Sequence, residues 1–66
     1  MIYVIKDIYT DEVVASSATY EDAERFVLNI AFTTNFGFFR TWYRPSDACK
    51  VFDCGSRVLV IIPINW

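Results

Sequence analysis

Apolar positions recur with helical spacing in one stretch of this chain. Between Thr19 and Phe32, residues Ala23, Phe26, Val27, Ile30 and Ala31 fall at i, i+3, i+4, i+7 and i+8. That continuous stripe predicts an amphipathic helix lying on a core. Thr19 is its expected N-cap, since a hydroxyl there accepts an orphan backbone N–H, and Asp22 three residues on completes an acidic capping box. Glu21, Asp22 and Glu24 crowd the end where the helix dipole favours negative charge, and Glu21 and Arg25 are spaced as an i,i+4 pair. Asn35 and Gly37 offer ways to stop it.

On either side the pattern is that of strands. Residues 2–6 are β-branched and aromatic, residues 7–12 turn the chain, and residues 13–17 return. Thr10-Asp11 forms the tight part of the turn, Asp11 being a residue that tolerates a left-handed conformation. After the helix, residues 33–37 read as loop and 38–44 as a third strand. That strand sets Phe38, Arg40, Trp42 and Arg44 on one face and Phe39, Thr41 and Tyr43 on the other. Pro45 ends it, and Arg44-Pro45-Ser46-Asp47 has turn chemistry. A fourth strand covers 50–54, Gly55-Ser56 makes a two-residue hairpin loop, and a fifth strand covers 57–62. Pro63 tolerates only an edge or terminal place in a sheet, so the strand is expected to end there. The predicted architecture is one α+β domain over residues 1–66, ordered ββαβββ, a mostly antiparallel sheet with one helix packed on one face.

Pairing across Gly55-Ser56 sets Phe52 opposite Leu59 and Val51 opposite Val60. One face of that hairpin then holds Lys50, Phe52, Cys54, Arg57, Leu59 and Ile61, and the other holds Cys49, Val51, Asp53, Val58, Val60 and Ile62. Both faces carry apolar residues, yet a helix about 20 Å long covers only one. A second body is therefore expected on the uncovered face. Leu28 and Phe32 lie away from the helix stripe and raise the same expectation on a smaller scale.

Composition narrows the class. The chain has 66 residues, one domain near the lower limit for folding without staples, and is 55% hydrophobic and 18% aromatic, which rules against disorder. Its longest apolar run, at 58–64, falls far short of the ~18 residues a membrane span needs, and the N-terminus has no signal-peptide pattern. A soluble cytoplasmic protein is the expectation. Residues 1–32 set two cations against six carboxylates, a net −4, and residues 33–66 set four against two, a net +2. An acidic helix face opposed to a basic sheet face is one way to build that asymmetry.

Catalytic equipment is not visible. There is no histidine, no nucleophile elbow, no P-loop, no dinucleotide fingerprint and no C-x-x-C. Cys49 and Cys54 end an extended segment that holds their Cα atoms about 15 Å apart, beyond bridging distance, so free thiols are expected. Without histidine a zinc site is improbable, and neither metal nor cofactor is expected. Asp7, Asp11 and Glu12 read as a solvated turn with Asx hydrogen bonds.

Two likenesses bear on function. Asn35-Phe36-Gly37-Phe38-Phe39-Arg40 resembles the aromatic core of the RNP1 strand of RNA-recognition motifs, although the element order lacks that family's second helix. It implies single-stranded nucleic-acid binding by Arg40, Trp42 and Arg44. The opening Tyr3-Val4-Ile5-Lys6-Asp7, with Thr10-Asp11-Glu12-Val13-Val14-Ala15 and Thr19-Tyr20-Glu21-Asp22-Ala23-Glu24, resembles the hairpin–helix start of small phage- and mobile-element-encoded proteins. That likeness covers the first 27 or so residues and implies an accessory factor that works by adhering to a host or phage protein. The favoured expectation is a non-enzymatic protein-binding factor, possessing a protein partner of unknown identity and forming a homodimer through the uncovered sheet face, in the manner of a phage-type inhibitor or modulator. Its candidate contact residues are Leu28, Phe32, Phe38, Trp42 and Trp66, because exposed aromatic and large apolar side chains anchor interfaces.

Overall fold

A computed structural model describes residues 1–33, 40–55 and 57–65, the side chains of 31–33 excepted. Strands β1 (Ile2–Asp7) and β2 (Val13–Ser17) precede helix α1 (Tyr20–Thr33), and β3 (Arg40–Tyr43), β4 (Lys50–Asp53) and β5 (Val58–Ile64) follow. This is the expected ββαβββ order. The five strands form one sheet in the order β2-β1-β5-β4-β3, with every neighbouring pair antiparallel.

The helix begins as its cap predicts. The Asp22 N–H donates to Thr19 Oγ1 at 3.1 Å, and Arg25 reaches both Glu21 and Asp22 at 3.2 Å. Ala23 and Val27 are fully buried against Ile5, Phe52, Cys54, Leu59 and Ile61, with Ile30, Tyr3 and Ala15 packed around them. Each large apolar side chain closed off in this way contributes about 1.5–3 kcal/mol. Phe26 departs from the expected stripe and is 38% exposed. At 100° per residue it lies about 60° round from Ala23, on the flank of a contact face that Ala23, Val27 and Ile30 centre on the sheet.

The hairpin register is as expected, with Phe52 opposite Leu59 and Val51 opposite Val60. Gly55 takes a positive φ of 91°, and the Cys54 N–H donates to Arg57 O at 2.8 Å. Two expectations are corrected. First, β5 does not stop before Pro63 but runs through it to Ile64, with Pro63 opposite Tyr3. This is tolerated because β4 pairs only with Val58 to Val60, so no β4 ladder extends to Pro63 to miss its N–H. Second, the sheet face away from α1 is not bare at its centre. Val51 (0% exposed), Val60 (1%), Val58 (5%) and Cys49 (8%) are buried within the single chain, with Ile8 and Ile62 packed on them. Ile8 is held there by its N–H, which donates to Val58 O at 3.0 Å. The turn after β1 thus folds an apolar side chain onto that face, and the premise that a second body must seal it is lost.

A candidate edge at strand β3

Among the described residues, exposed large apolar side chains are spread over Met1, Tyr9, Val13, Tyr20, Phe26 and Ile64, and two more, Trp42 and Tyr43, stand side by side on β3. Thr41, Trp42 and Tyr43 are strong strand formers, and all four residues of β3 are exposed. Trp42 is 38% exposed and Tyr43 66%. Among the described residues β3 pairs with β4 alone, in an uninterrupted register from Arg40 opposite Asp53 to Tyr43 opposite Lys50.

The two sides of this strand differ. On the side away from α1, Trp42 lies opposite the buried Val51, and the Arg40 guanidinium stands 5.4 Å from the Trp42 ring centre. Arg40 also reaches Asp53 at 3.8 Å. On the helix side Tyr43 lies opposite Lys50, whose ammonium donates to Glu24 Oε2 of α1 at 3.1 Å and stands 5.2 Å from the Phe52 ring centre. The Glu24 hydrogen bond raises the Lys50 pKa, and partial burial raises that of Tyr20 nearby. A pair this accessible contributes under about 1 kcal/mol, so it orients the helix over the sheet more than it stabilises the fold.

Residues 44–49 fasten β3 to β4. Arg44 forms a two-point contact with the Asp47 carboxylate, through Nε at 3.1 Å and through Nη2. Asp47 Oδ1 also accepts the Cys49 N–H at 3.0 Å. These bonds to its charged form lower the Asp47 pKa to about 2.

Of the five predicted contact residues, Leu28 and Trp42 have described side chains, and these two lie apart. Leu28 is half-buried on α1, and Trp42 points to the opposite side of the sheet. The Phe32 side chain, Phe38 and Trp66 lie outside the described residues. Tyr43 was missed by sequence reasoning. The signal that marks it is the outer position of β3, which depends on strand order rather than on local pattern.

Arg40, Trp42 and Arg44, the residues of the nucleic-acid expectation, are close in sequence, but their cations are engaged. Each of the chain's six lysines and arginines lies within 4 Å of a carboxylate: Lys6 with Asp11, Arg25 with Glu21 and Asp22, Arg40 with Asp53, Arg44 with Asp47, Lys50 with Glu24 and Arg57 with Asp7. Phosphate binding would compete with an internal carboxylate at every one of them.

Asp7 Oδ1 accepts the N–H groups of Tyr9 (2.9 Å) and Thr10 (3.3 Å), the Asx pattern expected of the turn. Cys49 and Cys54 are free and buried, and desolvation raises both thiol pKa values, away from thiolate reactivity. Among the described residues no cluster of three or more His, Cys, Asp or Glu is gathered to hold a metal ion, and no helix is long and apolar enough to cross a membrane. Comparison with protein-family models, with curated proteins and with solved structures found no match to this chain.

Proposed function

We propose that this chain is a non-enzymatic accessory factor that binds another polypeptide through the β3 edge, with Trp42 and Tyr43 as anchors. The observation that carries this is an outer strand whose four residues are all exposed, bearing two aromatic side chains and one neighbour among the described residues. Strand edges of this kind recognise extended segments by backbone hydrogen bonds, and exposed aromatics add the energy. The internal pairing of all six cations favours a protein partner over single-stranded nucleic acid. On this reading the factor works in the cytoplasm as a modulator of a protein of its host, and contact passes through the edge of the sheet rather than its face.

The test is parallel capture from the cell extract in which the chain is made, using the wild type and a Trp42→Ala/Tyr43→Ala variant of unchanged circular dichroism. A protein retained by the wild type and reduced at least tenfold on the variant is the expected outcome. Identical sets of retained proteins would remove β3 from the function.

A further inference from the structure

The opposite edge of the sheet is β2, which pairs with β1 alone among the described residues. Its sequence, Val13-Val14-Ala15-Ser16-Ser17, has neither the charge nor the proline that commonly guards an exposed strand. It does carry a bulge: Ile5 pairs with Ala15 and Lys6 with Val13, so Val14 is an extra residue. From Ala15 to Ser17 the ladder is regular, and the bulge confines an added strand to that stretch.

The chain's uncompensated charge brackets this strand. Eight carboxylates face six cations. Lys6, Arg40, Arg44, Lys50 and Arg57 each hold one carboxylate, whereas Arg25 is shared between Glu21 and Asp22. Glu12 has no cation within 4 Å. The net −2 therefore sits in two places: at Glu12, just before β2, and at Glu21 with Asp22, in the first turn of the helix that follows it. β2 spans about 17 Å between them. Phe26 hangs over the same edge. Glu24, on one flank of α1, reaches Lys50 of β4. Phe26, about 200° further round the helix, takes the opposite flank, on the side of β2, and is exposed there.

From this we infer that the β2 edge is a second binding surface, and that its occupant is an extended segment of another protein with lysine or arginine at each end and an apolar residue between. The two cations meet Glu12 and the Glu21–Asp22 pair, and the segment's backbone pairs with Ala15 to Ser17. Ala15 packs on the helix side of the sheet, so the apolar residue opposite it lies under Phe26. This surface lies across the sheet from β3 and stands without the β3 contact; with both in use, the chain joins two polypeptides. So short a strand pairing makes a weak contact, and salt weakens it further.

Titration of the isotope-labelled full chain with two short peptides, followed through its amide chemical shifts, tests this. Both peptides alternate threonine and valine; one has lysine at each end and the other glutamate. The lysine peptide is expected to shift the amides of residues 13–17 and of Phe26, saturating in the millimolar range. The glutamate peptide should bind at least tenfold more weakly, and added salt should weaken the lysine peptide. Glu12→Lys, at an exposed position, should weaken the lysine peptide at least fivefold. A lysine peptide that shifts nothing at millimolar concentration overturns the inference, and so does equal binding of the two peptides. Unchanged binding to Glu12→Lys overturns the charge match. Shifts confined to residues 40–43 remove β2 and leave the β3 reading standing.

Discussion

Between β1 and β2 the chain turns through residues 8–11, and between β3 and β4 through residues 45–48, and the two turns share one backbone plan. The Asp7 N–H donates to Glu12 O at 3.0 Å and the Asp11 N–H to Asp7 O at 2.8 Å; the Arg44 N–H donates to Cys49 O at 2.9 Å and the Ala48 N–H to Arg44 O at 2.7 Å. In each, the third loop residue caps the N–H two places on. Thr10 Oγ1 accepts from Glu12 at 3.3 Å, and Asp47 Oδ1 accepts from Cys49 at 3.0 Å. The fourth loop residue, Asp11 or Ala48, has φ of 59°. What differs is how that left-handed residue is tolerated. Asp11 belongs to a residue type that visits the region readily, whereas alanine pays about 1–2 kcal/mol there. The second turn offsets this with the two-point Arg44–Asp47 contact, where the first has an exposed one-point pair, Lys6–Asp11 at 3.3 Å, and the Asp7 carboxylate accepting the Tyr9 and Thr10 N–H groups. The same shape thus rests on a tolerant residue type with an Asx cap in one place and on a two-point ion pair around an alanine in the other, and the latter turn is the one that positions β3.

The largest expected effect follows from removing that contact. Asp47→Ala takes away both the Arg44 partner and the Cys49 cap, and should lower the melting temperature by several degrees. Thr10→Ala removes only a long neutral cap, costing ~0.5 kcal/mol or about 2–4 °C in a domain of this size. Equal shifts in thermal melts followed by circular dichroism would show that the two turns are fastened alike.

The next effect has the opposite sign. Ala48→Gly relieves the left-handed strain while adding freedom to the unfolded chain, a net stabilisation of about 0.5–1 kcal/mol. Asp11→Gly should show no such gain, because aspartate has little strain to release and the exposed Lys6–Asp11 pair is lost with it. Denaturant midpoints at unchanged slope measure both. A destabilising Ala48→Gly would mean that the alanine side chain does something at that turn beyond occupying it.

This difference also marks what could be read from the chain beforehand. Asp11 announces a left-handed turn residue, and that expectation is met. Ala48 announces nothing, because alanine has no turn preference; only Arg44-Pro45-Ser46-Asp47 was legible as a turn. The helix was legible from Thr19 and the Ala23/Val27/Ile30 spacing, and the β4–β5 register from Gly55, since caps, periodicity and hairpin loops are local signals. Strand order is not local. The placement of β3 at the outside, and hence the exposure of Tyr43, arises from long-range pairing that no short window records. The burial of Val51 and Val60 was misjudged for the same reason, since Ile8, distant in sequence, packs on their face. The candidate site was therefore half visible: Trp42 and Arg40 by composition, the edge that makes them accessible not at all.

The smallest effect isolates charge from shape. Asp47 titrates at about 2 in the folded chain against an ordinary 3.8, mainly because Arg44 hydrogen-bonds to its ionised form. A carboxylate with a depressed folded pKa adds stability that is present above its unfolded pKa and is lost as the pH falls through the folded value. Asp47→Asn keeps an oxygen that can accept the Cys49 N–H and removes only the charge, so at pH 6 it should be modestly less stable than the wild type. Between about pH 4 and about pH 2 that gap should close, as the wild-type carboxyl gains its proton and Arg44, whose own pKa is raised, keeps its charge. Thr10→Ala changes no titrating group, so its gap from the wild type should not narrow through this carboxyl. Urea midpoints for the three proteins at pH 6, 4 and 2 make the comparison, and an Asp47→Asn gap that persists unchanged at pH 2 would mean that the charge of Asp47 does not hold the second turn.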